Sequence, residues 1–295
     1  MTKHNDIAVI NKRHWEKMVI EGCGFTRPWL ELDANLIRQY VKGQLSPVPE
    51  PLLVMYPSSI LVDVEGKDVL CLGAGGGQQS VVFGLLGAHV TVVDLAEGQL
   101  KGDRKAATHY GYEIDTIQED MRDLSCLGEK SFDLVYGTGM SYIPDVKQVY
   151  SEVADVLRTG GKYRVDFSNP ATEFVDCDDW DGEGYRITRP YSDRIRRLED
   201  GPVEFRHTLS SIFNGLVALG LSIEHVQEAP YRDVEAPPGS WEHWLTYVRG
   251  FAIVARKDGK TKTLKGDWQT HKEAQSGKCV LLSKSIDRKE EGNKD

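Results

Sequence analysis

The residues best suited to bind a ligand lie in one glycine-rich stretch, VLCLGAGGGQQS, which runs from Val69 to Ser80. An apolar run that breaks into glycines is typical of a β-strand that ends in a tight turn before a helix. Gly73, Gly75 and Gly77 carry no side chain, so the backbone there can lie directly against a ligand. The dinucleotide fingerprint GxGxxG needs a third glycine where this chain has Gln78, and this argues against a nicotinamide cofactor.

Two acidic residues follow the next two predicted strands. Asp94 ends the run VTVV, where a carboxylate can accept hydrogen bonds from both hydroxyls of a ribose. Asp120 and Met121 follow the third strand, within reach of the amine and the ring face of an adenine. The alternative is that the glycines serve only tight packing and that the two aspartates only cap helices.

The elements around these residues alternate between strand-like and helix-like runs, which indicates a parallel sheet with crossover helices. The predicted strands are DVLCLG, HVTVVD, YEIDTIQED, FDLVYG and GKYRVDF, followed by GLSIEHVQEAP and YVRGFAIVARK. The predicted helices are QQSVVFGLLG, EGQLKGDRKAATHYG and VKQVYSEVADVLRTGG. Each of these runs finishes in glycine, which is common at helix C-termini. We therefore expect an α/β domain whose parallel strands end at one common edge.

Taken in order, VLCLGAGGGQQS, VTVVDLAEGQL, QEDMRDLS, FDLVYGTGMSYIPD and EVADVLRTGGKYRV resemble the consecutive motifs of the class I S-adenosylmethionine-dependent methyltransferases. The resemblance covers roughly residues 50 to 256. It implies a Rossmann-like, seven-stranded, mostly parallel sheet with helices on both faces and an antiparallel last strand. It also implies S-adenosylmethionine as the cofactor and methyl transfer to an S, N or O nucleophile of a small-molecule acceptor by in-line displacement.

The same resemblance assigns roles to residues at the strand ends. Those expected around the cofactor are Gly73, Ala74, Gly75, Gly77, Gln78, Asp94, Leu95, Gln99, Asp120, Met121, Gly137 and Thr138. Asp94 would hold the ribose, and Asp120 with Met121 would frame the adenine. Gln78 lies at the start of a predicted helix, where it reaches the cofactor or the acceptor, or merely begins the helix.

Three residues are candidates for hydrogen bonding or proton transfer beside the acceptor. Tyr142 lies in the loop GTGMSYIPD after the fourth strand and is predicted to be nearest the acceptor. His207 and His243 flank the last two strands, and an imidazole is suited to proton transfer near neutral pH. For all three, structural packing is the alternative.

The fourth-strand loop and the composition limit the choice of substrate and partner. The loop lacks the NPPY tetrapeptide that is associated with methylation of nucleobase amines, and the formal net charge of -9 gives no basic surface for nucleic acid. No metal is expected, because the strand ends in Gly137 and Thr138 instead of a carboxylate. No run is apolar enough for a membrane span or a signal peptide, so a cytoplasmic protein without a membrane partner is predicted.

The predicted organisation has three parts. Residues 1–47 form a helical segment or lid, and residues 48–257 form the methyltransferase domain with a cap insertion at about residues 168–210. Residues 258–295 are polar, Lys-rich and aperiodic, so a mobile tail is expected. The lid and the insertion are expected to set the specificity for the acceptor.

Two other functions remain compatible with the sequence. One is a nicotinamide-dependent oxidoreductase, which Gln78 in the third glycine position disfavours. The other is a protein that senses S-adenosylmethionine without turnover, because methyl transfer from a sulfonium needs alignment more than it needs a base. The sequence does not indicate the oligomeric state.

Overall fold

A seven-stranded sheet organises the computed structural model, which describes residues 3–230 and 235–259. The strands in the described residues are β1 (Asp68–Leu72), β2 (His89–Asp94), β3 (Ile114–Gln118), β4 (Phe132–Gly137), β5 (Leu157–Phe167), β6 (Ile195–Arg197), β7 (Val203–Phe205), β8 (Leu221–Glu228) and β9 (Phe251–Lys257). The sheet order is β3-β2-β1-β4-β5-β9-β8. Strands β1 to β5 are parallel, and β9 is antiparallel to both of its neighbours. The predicted fold class is confirmed.

Helices cover both faces of this sheet. They are α1 (Lys3–Glu21), α2 (Ala34–Val41), α3 (Glu50–Leu53), α4 (Gln79–Leu85), α5 (Glu97–Tyr110), α6 (Val146–Val156), α7 (Leu209–Ala218) and α8 (Trp241–Tyr247). One apolar core lies between the sheet, α6 and α7, and a second lies between the opposite face and α2, α4 and α5. Because β1 is buried on both faces, its sequence is a continuous apolar run instead of an alternating one.

Two predicted boundaries are wrong. The run RTGG was expected to end α6, but the helix stops at Val156, and the following residues already belong to β5. Lys257 of β9 donates to the backbone carbonyl oxygens of Ala154 and Leu157, so a distant residue caps this helix end. The run YVR was expected to begin β9, but Tyr247 ends α8 and the strand starts at Phe251.

The predicted insertion contains little regular structure apart from the antiparallel pair β6 and β7. Arg206, which is almost fully buried, donates to the carbonyl oxygens of Pro190 and Glu173 and thereby ties the insertion together. Its guanidinium also lies over the ring of Phe174 at 4.6 Å. The predicted tail falls outside the described residues from residue 260 onward and stays a prediction, as do the three domain boundaries.

The N-terminal segment is joined to the rest of the fold by buried hydrogen bonds. Asn11 of α1 is 2% exposed; its Nδ2 donates to the carbonyl oxygens of Val203 and Tyr142, and its Oδ1 accepts from the backbone N–H of Val203 at 2.8 Å. Its side chain therefore joins α1 to β7 and to the loop after β4. Within residues 3–230 and 235–259, every helix is too short or too polar to serve as a transmembrane span.

We predict that Asn11→Ala loosens α1 and the β6–β7 hairpin together. Removing the side chain leaves buried backbone groups unpaired, so local opening should become easier by about 1–3 kcal/mol. Amide hydrogen exchange should show faster exchange at Val203 and in α1, while β1 and β4 stay protected. Arg13→Ala on the exposed side of the same helix is the control, and equal exchange at Val203 in wild type and Asn11→Ala would contradict the prediction.

Candidate cofactor and acceptor site

A cavity of about 1170 Å³ lies at the carboxyl ends of the parallel strands. Residues that follow or end β1 to β5 line its floor, which is where ligands bind in open α/β sheets. Its other walls come from the N-terminal segment, from residues 47–56 and from α8. Of the predicted cofactor residues, those that line it are Gly73, Ala74, Gly75, Gln78, Asp94, Leu95, Gln99, Asp120, Met121 and Thr138.

The glycine turn between β1 and α4 leaves no room for side chains. Gly73, Gly76 and Gly77 have φ values of 61°, 101° and 73°, a region of backbone conformation that favours glycine. A Cβ at Gly75 would lie 2.9 Å from Oδ2 of Asp94, and one at Gly77 would lie 2.5 Å from a backbone oxygen. Glycine is therefore required in this turn both by the backbone conformation and by the close approach of atoms from neighbouring segments.

A buried carboxylate that the sequence analysis missed binds this turn. Asp103 of α5 is fully buried and accepts hydrogen bonds from the backbone N–H groups of Gly76 and Gly77, both at 3.0 Å, and from the hydroxyl of Ser80 at 2.5 Å. Burial raises the pKa of Asp103 to about 7, although these donors oppose the shift. The sequence does contain a signal for this residue, which is a charged side chain on the otherwise apolar face of α5, between Leu100 and Ala106.

Asp94 presents a second, more accessible carboxylate at the end of β2. Its Oδ1 accepts from the backbone N–H of Ala96 at 2.8 Å, and its Oδ2 accepts from that of Gly75 at 3.2 Å. Burial raises the pKa of Asp94 to about 6, with the two backbone N–H groups opposing. Next to it, Oε1 of Gln99 is buried and has no hydrogen-bond partner among the described residues, so this side of the cavity offers acceptors for ligand hydroxyl or amino groups.

Asp120 and Met121 lie where β3 ends, as predicted, but the carboxylate of Asp120 already has a partner. Arg122 donates through Nε to both oxygens of Asp120, at 2.9 and 3.0 Å, and both side chains are mostly buried. Met121 packs against the glycine turn so closely that a Cβ at Gly73 would collide with it. A ligand at this position therefore meets an ion pair and a flexible thioether.

The loop after β4 brings Tyr142 to the cavity. The hydroxyl of Thr138 donates to the carbonyl oxygen of Gly73 at 2.6 Å, which ties the ends of β4 and β1 together. The Tyr142 ring lines the cavity and meets Trp15 of α1 edge-on, with 5.7 Å between ring centroids. Burial raises the pKa of Tyr142, so its hydroxyl keeps its proton at neutral pH and serves as a hydrogen-bond donor.

Four predicted site residues do not line the cavity. Gly77 faces Gly102, and Gly137 packs against the ring of Tyr163. His207 Nε2 lies 2.9 Å from the carbonyl oxygen of Met140, and burial lowers the pKa of this imidazole. His243 Nδ1 lies 2.9 Å from the hydroxyl of Tyr185, and its ring packs on Trp180. The structure thus gives both histidines packing partners, and neither imidazole lines the cavity.

Gln78 connects the glycine turn to the N-terminal segment. Its Nε2 donates to the carbonyl oxygens of Gly24 and Arg27, at 2.8 and 3.0 Å, and the backbone N–H of Trp29 donates to the oxygen of Gly77 at 2.9 Å. The wall that closes the cavity is therefore bonded directly to its floor.

Among the residues that the structure describes, no group of three or more His, Cys, Asp or Glu side chains is placed to hold a metal ion.

Comparisons with known proteins agree with this geometry. A family model described as a methyltransferase domain matches residues 69–161. The uncharacterized methyltransferase YbaJ of Bacillus subtilis is 29% identical over 232 residues, which are 74% of this chain and 89% of that protein. A ubiquinone biosynthesis O-methyltransferase of Idiomarina loihiensis is 40% identical over 98 residues, but the match covers only 33% of this chain and 40% of that protein.

A solved structure shares the fold across most of the chain. The 1,6-didemethyltoxoflavin-N1-methyltransferase of Burkholderia thailandensis, which contains 1,6-didemethyltoxoflavin and S-adenosylhomocysteine, has a TM-score of 0.55 at 16% identity. The superposition covers 88% of this chain and 92% of that one. At this level of identity the likeness shows the fold alone.

We predict that Asp103→Asn removes a pH dependence from the stability of the protein. An amide turns its NH2 group toward one of the two backbone N–H groups that the side-chain oxygens face, so the variant should be less stable by about 1–3 kcal/mol at pH 5. A folded-state pKa raised from 3.8 to about 7 contributes stability at low pH that is lost as the pH rises toward 7, so the deficit should shrink by pH 8. Urea unfolding from pH 5 to 8 measures this difference.

The control for this experiment is Asp115→Asn, on the exposed side of β3. Its difference from wild type should not change over the same pH range. A difference between wild type and Asp103→Asn that is equally flat would contradict the role of Asp103.

Proposed function

We propose that this chain, which is a class I S-adenosylmethionine-dependent methyltransferase, transfers the methyl group to a small and largely apolar acceptor inside the cavity. The observation that carries the proposal is the continuity of the cavity, which extends from the glycine turn to the end of β5 and is walled by the N-terminal segment and α8. Its size suits a ligand pair of a cofactor and a small molecule better than a macromolecule.

The cofactor side of the cavity fits S-adenosylmethionine. When bound, this cofactor supplies a methyl group on a positively charged sulfur, which needs no further activation. We propose that Asp94 accepts from the ribose hydroxyls, that Gln99 accepts through its unpartnered Oε1, and that Asp120 and Met121 frame the adenine. Gly73, Ala74 and Gly75 line the cavity with backbone and one small side chain, and we propose that the methionine part lies against them.

The acceptor side lies at the ends of β4 and β5. Neighbouring strands are about 4.8 Å apart, so three strand spacings place the end of β5 about 14 Å from Asp94. Apolar side chains wall this side, namely Val48, Leu53, Val54, Tyr56, Ile143, Trp241 and Leu245. Such walls exclude water and align the nucleophile, and Tyr142 at the junction of the two sides can donate a hydrogen bond to the acceptor.

The N-terminal segment encloses the cavity, and the insertion holds this segment in place. Trp15 and Asn11 of α1 line the cavity, and Asn11 is held by β7 of the insertion. We propose that these two parts act as the lid. We also propose that the enzyme works in the cytoplasm. Its net charge of -9 argues against a nucleic-acid partner.

The test is to measure cofactor binding and methyl acceptance separately. Calorimetry should show S-adenosylhomocysteine binding at micromolar affinity and no binding of NAD or NADP. Labelled S-adenosylmethionine should then transfer its methyl group to members of a panel of small amines, phenols, thiols and acids. Efficient methylation of tRNA, DNA or protein, with no transfer to any small molecule, would contradict the enclosed acceptor.

The role of Asp94 predicts a pH dependence of cofactor binding. With its pKa at about 6, this carboxyl becomes protonated below that pH and loses its capacity to accept two hydroxyl donors. Affinity for S-adenosylhomocysteine should therefore fall as the pH drops below 6, by up to about tenfold per pH unit. Asp94→Asn should weaken binding at pH 8 by about 1.5–3 kcal/mol and remove the pH dependence, whereas Asp115→Asn should do neither. Unchanged affinity in Asp94→Asn would exclude this residue from the site.

A further inference from the structure

A fully buried cation lies beneath the acceptor side of the cavity. Arg164 of β5 has no exposed surface; its Nε donates to the carbonyl oxygen of Tyr56 at 3.0 Å, and its Nη1 donates to Oδ2 of Asp166 at 2.6 Å. Its guanidinium also lies over the rings of Tyr136 and Tyr56, at 4.4 and 5.0 Å. A buried charge is stable only when it is paired, so Asp166 carries the negative charge that balances this guanidinium.

Asp166 is held rigidly at the end of β5 and faces the cavity. Its backbone pairs with Ala252 of β9, and its side chain is 31% exposed toward the cavity that it lines. Arg164 uses Oδ2 and leaves Oδ1 without a hydrogen-bond partner among the described residues. The structure therefore presents a fixed, charged hydrogen-bond acceptor to whatever occupies the acceptor side.

The charged side chains that line the cavity away from β1 to β3 are acidic. Besides Asp166, they are Glu50 of α3 and Glu242 of α8. The one cation on the described lining is Arg122, which is paired with Asp120 on the cofactor side. An acceptor with a carboxylate or a phosphate would thus lie against like charges, because the guanidinium of Arg164 is fully buried and paired with Asp166, whereas a hydrogen-bond-donating cation would be stabilised.

We infer that the acceptor is an apolar, ring-containing molecule with an amine, and that Asp166 binds this amine. The inference rests on the proposed function, since it concerns the acceptor side of the same cavity. The apolar walls receive the ring, and Oδ1 of Asp166 accepts the N–H of the amine. Asp166 thereby determines which acceptors bind, and the inference concerns recognition and not the atom that is methylated.

Matched ligands test the inference on the wild-type protein saturated with S-adenosylhomocysteine. We choose the pairs tryptamine and indole-3-propionate, and phenethylamine and phenylpropionate, in which an ammonium and a carboxylate are carried on the same ring. Calorimetry should show each amine binding at least tenfold more tightly than its paired acid. Acids that bind as tightly as the amines, or amines that do not bind at all, would overturn the inference.

The contribution of Asp166 is tested with the near-isosteric variant Asp166→Asn. The preference for amine over acid should fall to within threefold, while S-adenosylhomocysteine binds as in wild type, which also shows that the variant is folded. Asp115→Asn makes the same change at an exposed position of β3 that does not line the cavity, and it should change the preference by less than threefold. An unchanged preference in Asp166→Asn would overturn the assignment of this residue.

The outcomes separate this inference from the proposed function. If the proposed function is wrong, S-adenosylhomocysteine fails to bind, or methyl transfer goes only to macromolecules. If only the inference is wrong, the cofactor binds and small acids or neutral molecules are methylated in preference to amines. The ligand pairs need no variant, so the result does not depend on how Asp166→Asn folds.

Discussion

The site depends on the binding of one backbone turn by two buried carboxylates. The backbone between β1 and α4, residues 73–78, would otherwise expose a row of N–H groups, and Asp94 and Asp103 accept from three of these groups, those of Gly75, Gly76 and Gly77. Each carboxyl group has two oxygens to offer, and a buried site increases the strength of the hydrogen bonds that they accept. The turn is thus fixed by the chain itself, and a cofactor meets a preformed surface.

The same turn also orders the wall on the opposite side of the cavity. Gln78 and the oxygen of Gly77 bond to the backbone between Gly24 and Trp29, and Asn11 continues this attachment to β7. Floor, N-terminal segment and insertion therefore form one hydrogen-bonded unit. In physical terms, opening of the N-terminal segment and loosening of the turn are expected to be coupled, because a loss of order in one removes hydrogen-bond partners from the other.

The sequence was sufficient to predict those parts of the fold that follow from local pattern. The bounds of β2 and β4 match the predicted runs because each is a short apolar strand between polar residues. Asp94, Asp120 and Thr138 could be placed at one cavity because the ends of parallel strands meet at one edge. The end of α6 could not be predicted, because the residue that caps it, Lys257, lies 103 residues beyond Ala154 in the chain. The start of β9 could not be predicted, because residues 241–247 form a helix up to Tyr247.

The residues missed by the sequence analysis share one property, which is that their partners are distant in the chain. Asp103 binds glycines 26 and 27 residues away, Arg164 binds Tyr56 over 108 residues, and Asn11 binds Val203 over 192. A single sequence shows such residues only as polar types in apolar surroundings. His207 and His243 were named for the opposite reason, because residue type alone suggests chemistry, and the structure gives both of them partners in the packing.

The cavity lining has a polar part and an apolar part, and the chemistry of methyl transfer explains why both are needed. Because the donor arrives activated, the protein gains rate mainly from alignment and from the exclusion of water, so polar groups are needed where the cofactor is held and apolar walls where the acceptor reacts. The described lining has this arrangement, with backbone, carboxylates and amides at β1 to β3 and mainly aliphatic and aromatic side chains at β4, β5 and α8. A carboxylate within the apolar part, such as Asp166, costs stability through the loss of its hydration, and the paired guanidinium buried beneath it in β5 offsets this cost.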